Sequence, residues 1–126
     1  MFFVGKKVSQ KPKNMDYKLE YERILKAVYD EKLYADMHLD RETFASHMNL
    51  SRHTLNKVLS TNTEGLSFPQ WMNNIRVQIA GDLLQNDPGK TITKISEEVG
   101  LTPDNLRRLY RQKVGVTPSE YRNRKN

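Results

Sequence analysis

The strongest constraint on the fold is an internal repeat. Shifting the chain by 51 positions superimposes residues 44–59 on residues 95–110, so that apolar, small and turn-forming residues coincide. After a deletion of one residue, the match continues from 65–71 onto 115–121. Apolar residues in both copies recur at spacings of three and four, which indicates helices. The sequence therefore predicts two copies of one small helical unit.

Each copy has the residue pattern of a helix-turn-helix motif. A small residue, Ala45 or Ser96, lies where two helices would approach closely. Four positions later comes Asn49 or Gly100, residue types that tolerate the left-handed conformation of a tight turn. One such copy is compatible with any small helical protein that has glycine turns and serine caps. Two aligned copies favour a duplicated helix-turn-helix.

The apolar spacing predicts an all-α fold, with two helix-turn-helix (homeodomain-like) subdomains joined by a long linker helix. The expected helices cover about residues 17–34, 40–49, a third from Ser51, 67–86, 92–99, 102–113 and a seventh from Thr117. The predicted domain organisation is a tail over 1–16, a first subdomain over 17–66, the linker helix over 67–87 and a second subdomain over 88–126.

Charge is unevenly distributed along the chain. The 126 residues carry a net charge of +6, with 21 basic and 15 acidic side chains. Residues 1–16 hold four lysines and one aspartate and are interpreted as a flexible basic tail or linker. Residues 17–66 have a net charge of −1, whereas residues 67–126 have +4. The basic balance favours a polyanionic partner.

Several function classes lack their characteristic residues. The chain has no cysteine, which excludes disulfides, thiolate metal sites and a cysteine nucleophile and leaves the cytoplasm as the expected location. His38, His47 and His53 lack the i, i+4 spacing of a helical zinc pair, and the sequence has neither a phosphate-binding glycine loop nor a serine nucleophile elbow. We therefore expect no catalytic residue, no metal, no cofactor and no enzymatic activity.

No apolar run reaches the length of about 18 residues that a membrane span requires. The apolar residues 2–4, followed by Lys6 and Lys7, resemble the cytoplasmic end of a membrane segment. The alternative, which we favour, is an ordinary linker. No membrane contact by this segment itself is expected.

Polar side chains mark the outward face of the second helix in each motif. They repeat the spacing i, i+3, i+4 and i+7 and lie opposite the apolar face. The two sets are His53, Asn56, Lys57 and Ser60 in the first copy, and Asp104, Arg107, Arg108 and Arg111 in the second. Such a stripe alone is typical of a solvated helix face. Three arginines on the second helix of a helix-turn-helix favour DNA, because arginine or lysine suits guanine, asparagine suits adenine and aspartate suits cytosine.

The sequence resembles a known family. From about Tyr17 to Arg124 it is similar to the DNA-binding domain of AraC-type transcriptional regulators. The most specific parts of the resemblance are residues 95–101 (ISEEVGL) and residues 115–122 (GVTPSEYR). The resemblance implies two helix-turn-helix subdomains on a rigid linker helix, which place two recognition helices in successive major-groove segments of the duplex.

The resemblance and the stripes together define the candidate DNA-contacting residues. The expected base contacts are His53, Asn56 and Lys57 in the first subdomain and Asp104, Asn105, Arg107 and Arg108 in the second. The expected phosphate contacts are Ser51, Arg52, Thr102, Arg111 and Lys113.

The expected function is that of a sequence-specific, double-stranded DNA-binding transcriptional regulator. RNA polymerase and a sensing domain absent from this chain, of the kind that family members commonly carry, are further partners consistent with the resemblance. The alternative is a helix-turn-helix module that docks a partner protein and binds DNA weakly or non-specifically. The net charge of −1 in residues 17–66 gives this alternative its support.

Overall fold

The structure is a computed structural model that describes residues 15–125, so most of the predicted basic tail lies outside the described residues. Within this range the chain forms seven α-helices and no strand, which confirms the all-α prediction. The helices are α1 (Tyr17–Asp30), α2 (Arg41–His47), α3 (Arg52–Asn62), α4 (Phe68–Asn86), α5 (Ile92–Glu98), α6 (Pro103–Val114) and α7 (Pro118–Lys125). None of them has the length and apolarity needed to cross a membrane.

The described chain divides into two units by its contacts. The first contains α1 to α3 and the start of α4 up to Trp71. The second contains α4 from Met72 onward, α5 to α7, and the short connection Lys32–His38 between α1 and α2. The predicted boundaries of tail, subdomains and linker helix stay a prediction.

Each unit has its own apolar core. In the first, Trp71 lies near the rings of Phe44 and Phe68, at centroid distances of 5.8 and 6.0 Å, and its indole N–H donates to the Tyr21 hydroxyl at 3.1 Å. The second core contains Val77, Ala80, Leu84, Ile95, Val99, Leu101, Leu106, Leu109 and Tyr110. Spacings of three and four place these side chains on one face of each helix, because an α-helix has about 3.6 residues per turn.

The two helix-turn-helix turns have the same backbone geometry. Asn49 and Gly100 have φ angles of 60° and 75°, which confirms the left-handed conformation predicted for them. In each turn the following leucine donates its N–H to the carbonyl of the buried small residue five positions earlier, at 2.8 Å for Ala45 and 2.9 Å for Ser96. This bond closes the end of the first helix of the motif.

The repeat extends into reciprocal capping boxes at the starts of α4 and α7. The Ser67 hydroxyl accepts the N–H of Gln70 at 3.3 Å, and the Gln70 side chain accepts the N–H of Ser67 at 2.9 Å. Thr117 and Glu120 form the same pair of bonds at 3.2 and 2.9 Å. The helix starts predicted at Ser67 and Thr117 are therefore confirmed, since each box satisfies N–H groups that have no partner inside the helix.

The first helix is shorter than predicted. It ends at Asp30 rather than near residue 34, because Lys32 adopts a left-handed conformation with φ 54° and a short 3-10 turn follows at Leu33–Ala35. The connection is held within the second unit by Arg76, whose guanidinium donates to the carbonyls of Tyr34 at 2.8 Å and Asp36 at 2.9 Å. These contacts are remote in sequence, so helical periodicity alone predicted a longer helix.

The capping carboxylates should make stability sensitive to acid. Hydrogen bonds from Thr43 lower the pKa of Asp40 from its ordinary value of 3.8, and hydrogen bonds from Thr117 lower the pKa of Glu120 from 4.5. A carboxyl group with a lowered pKa in the folded state stabilises the fold above its ordinary pKa, and this contribution is lost as the pH falls through the lowered value.

We therefore expect the melting temperatures of Asp40→Asn and Glu120→Gln to decrease less than that of the wild type when the pH is lowered from 6 towards 3. Thermal unfolding followed by circular dichroism across this range measures the difference. Glu97→Gln serves as the control, because it removes an exposed carboxylate inside α5 that caps no helix start. Equal acid sensitivity in the capping and control variants would contradict this explanation.

Candidate nucleic-acid interface

Four basic side chains are exposed on α6, the second helix of the second motif. Thr102 caps its start by accepting the N–H of Asn105 at 3.1 Å, and Gly115 ends it with φ 97°. We call Arg107, Arg108 and Arg111 the arginine stripe; all three are exposed. The opposite side of the helix is buried in the core of the second unit. The helix thus presents three guanidinium groups on a face that its packing leaves open.

Two arginines of the stripe are held by side chains one turn earlier. The Arg107 guanidinium donates to the Asp104 carboxylate at 2.7 Å, and Arg108 donates to the Asn105 side-chain oxygen at 3.2 Å. Both pairs are exposed to solvent. Exposed ion pairs of this kind contribute little free energy, so the guanidinium groups can exchange these partners for other acceptors at small cost.

The corresponding face of α3 is much less basic. Its exposed side chains include His53, Asn56 and Lys57, and Ser51 caps the helix by accepting the N–H of Thr54 at 3.0 Å. Arg52 donates to Glu42 of α2 at 2.7 Å, so an acidic side chain already lies beside this cation. The two copies therefore share a backbone design but differ in surface charge.

Comparison with known proteins identifies the motif. A family model described as a helix-turn-helix domain matches residues 44–124, which is well over half of the chain and includes both turns. The chain belongs to the AraC-type helix-turn-helix family. This family consists of transcriptional regulators and is not an enzyme family.

A curated transcriptional regulator is similar to part of this chain. HTH-type transcriptional regulator RipA of Corynebacterium diphtheriae is 34% identical over 79 residues, which cover 62% of this chain and 23% of that protein. This chain thus spans less than a quarter of the length of that curated relative.

Solved structures share the fold. The DNA-binding domain of AdpA, in complex with a target DNA, superimposes with a TM-score of 0.71 at 24% identity, over 82% of this chain and 89% of that one. The C-terminal domain of AraT, a response regulator from Geobacillus stearothermophilus, has a TM-score of 0.68 at 25% identity, over 85% and 83% of the two chains.

All twelve candidate DNA-contacting residues of this AraC-type chain are exposed, and they lie on α3, on α6 or at the caps of these helices. Lys113 differs from the rest. It lies nine residues beyond Asp104, which at about 3.6 residues per turn places it on the opposite side of α6. There it lines a groove together with Tyr110 and Tyr121. The other members of the set on α6 share the exposed face, and the assignment of individual contacts stays a prediction.

Not all basic side chains of this AraC-type chain are available to bind a partner. Arg76 is only 7% exposed, and burial lowers the pKa of its guanidinium. Lys90 donates to Glu98, and Arg122 donates to the carbonyls of Lys90 and Asp87 at 2.6 and 3.3 Å. These three cations hold the second unit together. Helical spacing places Arg76 on the buried face of α4, since it lies four residues from both Met72 and Ala80, whereas only their contacts identify Lys90 and Arg122.

Proposed function

We propose that this chain binds double-stranded DNA in a sequence-specific manner to regulate transcription, with α3 and α6 as recognition helices in two successive major-groove segments. The observation that carries the proposal is the arginine stripe on the second helix of a helix-turn-helix. An α-helix fits the major groove, and the arginine guanidinium can donate two parallel hydrogen bonds to guanine. The AdpA domain, solved with its target DNA, shares the fold and supports the proposal.

In this proposal each helix has base-reading and phosphate-binding positions. Arg107 and Arg108 would read guanine, Asp104 cytosine and Asn105 adenine, while α3 would contribute His53, Asn56 and Lys57. The proposed phosphate contacts are Ser51, Arg52, Thr102, Arg111 and Lys113. The capped starts of α3 and α6 point N–H groups and the positive end of the helix dipole towards phosphate. Affinity would come mainly from phosphate neutralisation and specificity from the base contacts.

Selection from random double-stranded oligonucleotides at about 0.15 M salt tests the proposal. Two enriched blocks, separated by about one helical turn or roughly 34 Å, are expected because each recognition helix would read its own segment. The affinity for the winning sequence should fall with salt, with a log–log slope near −5 if about six phosphates are neutralised.

The other outcomes of the selection are equally informative. A single enriched block would mean that only α6 reads bases and would assign α3 to another task, such as a contact with RNA polymerase. No enrichment, together with a salt slope near zero, would contradict the DNA proposal. It would favour the alternative of a protein-docking module, for which the paired Arg52 and the modest basicity of α3 are the supporting observations. A sensing domain elsewhere in the full-length protein is also proposed as a partner.

A further inference from the structure

The second unit contains a groove that DNA recognition does not explain. It lies between α4, α6 and α7 and has a volume of about 490 Å³. This volume falls in the range of small-molecule sites, roughly 300–1,000 Å³. Tyr110 and Tyr121 line it with their rings in an edge-to-face arrangement, 5.8 Å between centroids. Of the candidate DNA-contacting residues only Lys113 lines the groove, so a ligand there would leave the arginine stripe free.

A glycine forms part of the groove where packing does not require one. Gly81 lies inside α4, and glycine is among the least favourable residues for a helix interior. A Cβ atom built at this position would lie 3.5 Å from the Tyr110 hydroxyl, which is an ordinary contact. Neither crowding nor backbone conformation explains the glycine. A larger side chain here would fill the groove, so the absence of one keeps it open.

Two polar groups at the groove form no hydrogen bond with a described residue. Tyr110 is only 2% exposed, and no described residue forms a hydrogen bond with its hydroxyl. Burial raises the pKa of Tyr110 to about 12, with Tyr121 and Asp82 adding to the shift, so the hydroxyl remains a donor at neutral pH. The side-chain oxygen of Asn74 is also buried and unpaired. Polar groups in buried side chains are normally hydrogen-bonded, so the Tyr110 hydroxyl beside Gly81 is suited to a ligand atom.

Two opposite charges line the same groove without pairing. The Asp82 carboxylate and the Lys113 ammonium both contribute to its lining, and neither forms an ion pair with any described residue. An ammonium group would find an acceptor in Asp82, with the tyrosine rings of the lining beside it. A carboxylate would find donors in Lys113 and in the Tyr110 hydroxyl. The groove therefore matches a molecule that carries both charges.

We propose that this groove binds a small zwitterion of the free α-amino-acid class, with its ammonium group at Asp82 and its carboxylate at Lys113 and Tyr110. Lys113 is also a proposed phosphate contact, so a carboxylate bound to it competes with DNA phosphate and lowers the affinity for DNA. This coupling rests on the proposed function of α6, whereas binding of the zwitterion does not.

Isothermal titration calorimetry of the full chain with each of the twenty common amino acids, in the absence of DNA, tests the site. At least one amino acid is expected to bind with a stoichiometry of one. Its N-acetyl and methyl ester derivatives, which each lack one charge, should bind at least roughly tenfold more weakly. Absence of binding by any amino acid at millimolar concentration would overturn the proposal, as would a decarboxylated amine that binds as tightly as its parent amino acid.

Variants locate the site. Gly81→Leu should abolish binding because the new side chain fills the groove. Leucine has a higher helix propensity than glycine, and circular dichroism checks that the variant has folded. Asp82→Asn and Lys113→Met should each weaken binding at least roughly tenfold and test the site even if Gly81→Leu does not fold. Lys94→Met, which removes an exposed cation on α5 outside the groove, is the matched control and should bind normally. Unchanged binding in Asp82→Asn and Lys113→Met would overturn the assignment.

A DNA titration with and without the amino acid then tests the coupling. A shift in DNA affinity that disappears in Asp82→Asn is expected. Amino-acid binding by a chain that does not bind DNA would refute the proposed function and leave the groove assignment standing. DNA binding without amino-acid binding would refute only the groove assignment.

Discussion

Arg108→Ala is expected to weaken binding to the selected DNA by about 1–3 kcal/mol, or roughly 5- to 150-fold in Kd, and to relax the preference at one base pair. The guanidinium is exposed on the open face of α6 and, within the described part of the chain, donates only to Asn105, at 3.2 Å. Exchanging that bond for two bonds to a guanine edge costs little and gives discrimination between bases. Fluorescence anisotropy with probes varied at each position of the selected site measures both effects.

Two matched variants separate base reading from general charge. Arg108→Lys keeps the positive charge but loses the planar pair of donors, so it should retain most of the salt-dependent affinity and lose part of the base preference. Lys94→Ala removes an exposed cation from α5 and should change neither the DNA affinity nor the base preference. If Arg108→Ala retained the full sequence preference, the assignment of Arg108 as a base reader would be wrong.

Gly100→Ala is expected to destabilise the second unit by roughly 3 kcal/mol or more, because strain and a steric clash act together. Gly100 has φ 75°, a conformation that costs an alanine about 1–2 kcal/mol. A Cβ atom there would lie 2.4 Å from the carbonyl oxygen of Tyr34 and 3.1 Å from Ala35, so backbone atoms would have to move. Urea unfolding followed by circular dichroism measures the loss.

Two further variants distinguish strain from clash. Gly115→Ala is the matched control, since Gly115 has φ 97° but no atom within 4 Å of a new Cβ, and it should cost only the strain. Gly100→Asn introduces a residue that tolerates the left-handed conformation but still carries a Cβ, so it should remain nearly as destabilising as alanine. Full stability in Gly100→Asn would show that the clash with the Tyr34 carbonyl is relieved by a small shift.

The repeat made much of the local structure predictable. Left-handed residues at Asn49 and Gly100, side-chain caps at Ser51 and Thr102, and helix starts at Ser67 and Thr117 follow from backbone rules that act over a few residues. The exposed faces of α3 and α6 follow equally from helical periodicity, because the apolar residues between them must face the core. Resemblance to AraC-type regulators added the expected use of these faces.

Interactions between distant residues were beyond such rules. The two turns look equivalent in sequence, yet only at Gly100 does the structure show a neighbouring backbone that excludes a Cβ. The end of α1 at Asp30 depends on a connection held by Arg76, more than forty residues later in the chain. Arg76, Lys90 and Arg122 contribute to the net positive charge of the sequence, but the structure shows that they bind groups within the protein.

The sequence by itself determined that this is a duplicated helix-turn-helix with an arginine stripe on its last recognition helix, because periodicity, caps and turn residues are local properties. Only the tertiary structure decided which cations remain free, which glycine is sterically obligatory, and that Gly81, Asp82, Tyr110 and Lys113 line one groove. Those outcomes depend on how α4, α5, α6 and α7 pack, and packing brings together residues that no local pattern connects.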